Sequence, residues 1–244
     1  MIRSVFLTFS LLALSQPATA ACDQHGDLIG ARYLVTKTQD GAAPAVTREL
    51  VLWRNQRQVA HENTRSGITE LWEQTSNGQL RMVRYFDKHR RGIEYQPYEI
   101  RHASNNGDWQ IKAQLISEAQ LKSLQRIATQ GGGCDKRENY ASAKGDATQI
   151  SLQWLPHRRL VQHYRETGPE STVTLQLLET ITDEKRIKRA FADRETYQNV
   201  DYADIGDNES DPFLAKMINL GFIEHGAAGF YDTQGHTLNG HHRH

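Results

Sequence analysis

The chain is poor in the residues that usually announce a chemistry. Only two of its 244 residues are cysteine, Cys22 and Cys134, and there is no C-x-x-C. That argues against a thiolate-built metal or redox centre and against a small disulfide-dense scaffold. No excess of one charge exists either, with 29 Lys and Arg standing against 29 Asp and Glu. Nucleic acid or an anionic membrane as main partner would favour a strongly basic surface, which is missing. Beyond residue 20 no apolar run approaches the roughly 20 residues of a spanning helix. There is no G-x-S-x-G elbow, no H-E-x-x-H, no P-loop and no Gly-rich strand-to-helix fingerprint. Carboxylates paired in space would escape such a search. With that exception, the chain reads as a binder and not as an enzyme.

What is present begins with an address. Arg3 supplies a positive start, Val5–Leu14 an apolar stretch of about ten residues, and Ala18-Thr19-Ala20 a small-x-small cleavage site. Residues 1–20 are thus expected to be a cleaved export signal and the mature protein periplasmic. A lipoprotein signal competes because Cys22 follows closely, but Thr19 stands where such signals normally carry Leu. Without the signal, 224 residues remain of the 244, with 28 basic side chains against 29 acidic ones because Arg3 is lost. In an oxidising compartment Cys22 and Cys134 are expected to form one disulfide, tying the mature N-terminus to the Gly131-Gly132-Gly133 loop.

The body reads as α+β and β-dominated. Strands are expected at 31–38, 48–54, 58–62, 68–73, 80–87 and 92–100, with turns at Ser66-Gly67 and Asn77-Gly78. Trp109, Ile111, Ala113 and Leu115 alternate with polar residues, which predicts a half-buried strand. Ser117 and Gln120 form a capping box for a helix whose apolar positions are Leu121, Leu124, Ile127 and Ala128. Further strands are expected at 148–154, 160–166 and 171–180, and residues 183–192 fit a charged helical turn or two. Asp211-Pro212 and Gly221 bracket a last helix, with Phe222 placed to close it. The expectation is an antiparallel meander, as an open half-barrel or curved sheet, with one or two short helices on it. A C-terminal helix and a flexible tail follow. Residues 21–200 form one domain, and residues 201–244 an acidic loop, docked helix and His-rich tail.

Two segments could carry chemistry. Asp201, Asp204, Asp207, Glu209 and Asp211 could gather oxygen ligands around Ca²⁺, although their spacing is not that of an EF-hand. Five of the eleven His fall in the last twenty residues: His225, His236, His241, His242 and His244. With Asp232 they suit zinc or copper, and a Gly-rich flexible segment suits capture and hand-off more than a buried structural site. Metal capture is therefore the first expectation for function. His61, His102 and His163, on or beside strands, read as structural or surface residues.

The alternative comes from architecture. An exported antiparallel meander with helices on its dry face resembles the open half-barrels of periplasmic lipoprotein carriers and related lipid-handling proteins. No motif of that family matches residue by residue. The resemblance implies an apolar ligand on the concave face, with Trp53, Trp72, Trp109 and Trp154 among the candidates to line it. It also leaves room for another envelope protein as partner.

Overall fold

The computed structural model describes residues 26–39, 45–100, 106–208 and 210–223. The expected export signal, Cys22 and the whole His-rich end lie outside them. Twelve strands form one open, curved, almost wholly antiparallel sheet. A first meander contains β1 (Leu28–Gln39), β2 (Val46–Asn55), β3 (Gln58–Asn63), β4 (Ile68–Gln74), β5 (Leu80–Phe86) and β6 (Arg91–Tyr95). Helices α1 (Asn106–Gln114) and α2 (Glu118–Ser123) interrupt it. A second meander follows with β7 (Gln125–Gln130), β8 (Arg137–Ala141), β9 (Gln149–Leu155), β10 (Leu160–Thr167) and β11 (Ser171–Ile181). Helix α3 (Glu184–Glu195), β12 (Gln198–Asp201) and helix α4 (Pro212–Asn219) complete the described chain.

The meanders join through β1 and β11, which pair from Gly30–Ile181 to Gln39–Ser171. Strand β12 returns to the far edge and runs parallel to β6. Local chemistry explains the turns. Gly67 and Gly78 take positive φ values of 70° and 82°, a conformation open to glycine at no steric cost. Among the described residues no helix is long and apolar enough to cross a membrane.

The two faces of the sheet carry different covers. On the front face, Ile29, Ala31, Tyr33, Leu50, Leu52 and Val59 pack with Leu152, Trp154, Leu160 and Leu175 beneath α1 and α2. The same face continues across Trp72, Leu80, Met82, Phe86, Ile93 and Tyr95, beneath Leu214 and Met217 of α4. On the reverse face α3 sets Ile187 and Phe191 on Val51, Trp53, Ala60, Leu71, Val83 and Tyr85. Gly30 makes room for this: a Cβ there would lie 2.7 Å from the Trp53 ring. Arg194, at the end of α3, bonds Asp87 through both Nε and Nη2 (2.9 and 3.0 Å) and reaches Thr69 Oγ1 at 2.8 Å.

Several expectations need correction. Residues 109–115 are not a strand; they lie in or just past α1. The inward set is Trp109, Ala113 and Ile116, at i, i+4 and i+7, while Ile111 is 42% exposed. The helix after Ser117 is shorter than its apolar pattern, ending at Ser123, and Ile127 and Ala128 belong to exposed β7. Strand β6 stops at Tyr95, because Pro97 opens a 3-10 turn over Pro97–Glu99. Strand β8, Arg-Glu-Asn-Tyr-Ala, has no clear signal in the sequence.

Helix α4 forms as its sequence predicts. Asp211 Oδ1 accepts from Phe213 N at 2.8 Å, Pro212 occupies the first turn and Gly221 takes φ 72°. Phe222 N bonds Met217 O and Gly221 N bonds Ile218 O, the paired contacts of a Schellman ending. Phe222 then packs with the cluster that Leu214 and Met217 enter.

Candidate functional site

The site is built where α1 and the end of α4 meet the front face. Cross-strand register places His61 of β3 opposite Glu70 of β4, and Glu70 opposite Arg84 of β5. The three side chains make a polar row across an apolar surface. Leu52 and Ile93 continue the row at its two ends. A parallel row beside it is Val59, Trp72, Met82 and Tyr95. Relative exposures of 9% for His61, 5% for Glu70 and 3% for Arg84 show how fully the row is removed from water. Buried charges are tolerable only when paired, and these are. Arg84 holds Glu70 Oε1 through Nη2 at 2.8 Å and Nε at 3.2 Å.

Each end of the row donates to the backbone of a covering segment. His61 Nε2 lies 2.7 Å from Lys112 O in α1, so the neutral ring donates there. Burial, followed by the charge of Lys112, lowers the His61 pKa to about 4, which keeps the ring neutral at ordinary pH. Arg84 Nη1 donates to Phe222 O at 2.6 Å, just past α4. Lys112 turns its ammonium to the sheet, 3.9 Å from the Trp72 ring centroid, an arrangement in which the ring's electron-rich face stabilises the cation. Tyr202 stacks on Tyr95 with ring centroids 4.9 Å apart.

The covers themselves are slight. Helices α1, α2 and α4 span nine, six and eight residues, and α2 has no buried residue. Leu115, between α1 and α2, has φ 62°, a left-handed conformation that a bulky L-residue adopts only under strain. Trp109 packs against both front-face clusters and so sits over their seam. Beneath these covers the buried Tyr33 hydroxyl and Trp72 indole N–H have no hydrogen-bond partner among the described residues. A buried donor left unpaired costs about 1–3 kcal/mol.

The sequence-derived candidates divide sharply. Trp72 and Trp154 are on the front face and Trp109 lies above it, but Trp53 belongs to the reverse face, where its Nε1 donates to Glu62 at 2.9 Å. For the acidic run weighed as a calcium site, among the described residues no group of three or more His, Cys, Asp or Glu is placed to hold a metal. Asp201 instead caps the 202–204 turn and accepts from Gln96. Asp211 caps α4 and pairs with Arg91 at 2.6 Å, which holds its carboxyl below the usual range. Glu209 lies outside the described residues. So do the zinc or copper candidates His225, Asp232, His236, His241, His242 and His244. Cys134 stands in the Gly133–Asp135 turn, and the Cys22 end of its expected bridge is likewise outside. The row of Glu70 and Arg84 was not singled out from the sequence, although directly opposed unlike charges on adjacent strands are its one signal.

No protein-family model matches this chain, and no curated protein sequence does. Solved structures with some likeness include a DUF1329 family protein from Desulfovibrio piger, at 8% identity and TM-score 0.33, covering 64% of this chain and 85% of that one. A LolA superfamily protein from Nitrosomonas europaea is similar at 7% identity and TM-score 0.31, covering 68% and 92%. A putative outer membrane lipoprotein-sorting protein domain from Vibrio parahaemolyticus stands at 7% and 0.31, covering 66% and 90%. Likeness at these scores establishes neither a shared fold nor a shared function.

Proposed function

We propose that the protein is an exported carrier of an apolar ligand, taken up on the front face beneath α1, α2 and α4. The observation that supports this reading is the mismatch between that face and its covers. An apolar surface spanning both meanders is closed by short helices, one of which buries no residue, and not by a second sheet. His61 and Arg84 add hydrogen bonds to cover carbonyls, at 2.7 and 2.6 Å, beside the apolar contacts that hold those covers. The Tyr33 and Trp72 donors, without partners among the described residues, favour an apolar ligand that carries acceptor oxygens at one end, as a fatty carboxylate or ester does.

Binding is tested by titrating the full chain with cis-parinaric acid, following probe emission and tryptophan fluorescence. Saturable binding near one probe per chain is expected, with a spectral shift from Trp72 and Trp109 and faster amide exchange in residues 106–123. An absence of saturable binding, with amide exchange unchanged, would overturn the proposal.

A further inference from the structure

The sheet splits between β10 and β11, and the split holds a second candidate site. Strands β10 and β11 pair only from His163–Gln176 to Thr167–Thr172. Beyond His163 they part, and each carries a register irregularity at that point. The β9–β10 ladder skips Gln162, and the β1–β11 ladder skips Leu178. Both extra residues line a hollow of about 250 Å³. Bulges of this kind are over-represented beside functional sites because they re-aim a side chain and end pairing.

Two acids and two arginines line the hollow, but they are not equally engaged. Glu179 is on its wall, but Arg32 and Arg186 each already bond one of its carboxylate oxygens. Asp135 is the other acid. Against it stand Arg137 and Arg158, neither of which has a carboxylate partner among the described residues. Arg158 is held in place by its backbone: buried Arg54 donates to Arg158 O at 2.5 Å and Arg159 O at 3.2 Å, fixing the turn between β9 and β10. The Gln162 side-chain oxygen is buried and accepts no hydrogen bond among the described residues. It is an acceptor waiting for a donor, next to two guanidinium groups suited to oxyanions.

We propose that this hollow binds a small oxyanion carrying its own N–H or O–H donor. Arg137 and Arg158 hold the anionic oxygens, and Gln162 Oε1 accepts from the donor. The chemistry fits a hydroxy or amino carboxylate and equally a phosphate monoester. The site does not depend on the carrier reading, although Leu155 and Leu177 on its wall also pack against the front-face core.

The test is an NMR titration of the full chain with lactate, acetate and inorganic phosphate, following residues of the hollow. Lactate should bind saturably and more tightly than acetate, which has the carboxylate but no donor. Gln162→Leu should erase that preference, and either Arg137→Gln or Arg158→Gln should weaken lactate by about tenfold. Phosphate binding more tightly than lactate at the same residues would assign the site to phosphate esters, and the reverse order to hydroxy carboxylates. The proposal is overturned if neither ligand gives saturable shifts, if the arginine variants bind like the parent, or if lactate and acetate bind alike.

Discussion

The two meanders use the same antiparallel ladder but are buried very differently. Strands β4 and β5 are enclosed on both faces, by α4 in front and α3 behind, and most of their residues are buried. In the second meander β9 buries Leu152 and Trp154 toward the front while Gln149 and Ser151 are exposed, and β7 is exposed along its whole length. Stability is therefore concentrated in the first half, and the second half is a one-sided extension. The covers follow the same division. Behind the first meander α3 is locked by Arg194 to Asp87 and Thr69, whereas in front α1 and α2 are held by apolar packing and the His61–Lys112 contact.

The sharpest way to break this comparison is to truncate an apolar side chain in each half. Trp72→Ala, at a side chain with no exposure, should cost about 3–5 kcal/mol in urea denaturation. Ile127→Ser on β7, where the side chain is 65% exposed, should change stability by less than about 0.5 kcal/mol. Equal effects would mean that the halves are not differently loaded.

A smaller effect separates the front cover from the rest. His61 has its pKa lowered from 6.5 to about 4 in the fold, so the unfolded chain takes up the proton first. Stability from this group is complete above pH 6.5 and falls as the pH drops toward 4, by on the order of 3 kcal/mol in all. Denaturation measured across that window should show the slope, and His61→Gln should flatten it. A further small change is expected at α4. Asp211→Ala removes the cap and the Arg91 contact and should cost about 1 kcal/mol. Because the Asp211 pKa is lowered, its contribution is present above the ordinary carboxylate range and lost as acid protonates it. The variant's loss, read by thermal melting, should therefore shrink at acid pH.

Legibility followed the same division. One-sided β9 shows its nature openly, with Ile150, Leu152 and Trp154 in alternation, and α4 carries cap, proline and glycine within eleven residues. Strands of the first meander were found from continuous apolar runs and the Asn-Gly turn. The failure at 109–115 has a simple cause. Trp109, Ala113 and Ile116 satisfy a helix as well as Trp109, Ile111, Ala113 and Leu115 satisfy a strand, and Ile111 decided wrongly because it faces solvent. Strand β8 was missed because a strand near the sheet's edge packs little apolar surface and its residues are mostly polar. The polar row could not be read because register, which brings Glu70 to Arg84 and His61, is a property of three strands together. No single stretch contains it.

The junction of β1 with β11 also sets how the molecule must assemble. Each meander can form from neighbours in sequence, but Gly30 must find Ile181 across a loop of the whole intervening chain. Closing such a loop costs roughly 4 kcal/mol of chain entropy before any contact is gained. Pairings of this kind slow folding far more than hairpins do. Until that seam closes, the inner edges of both meanders stand open to other strands, and the interval in which they do so is the protein's window of vulnerability to aggregation.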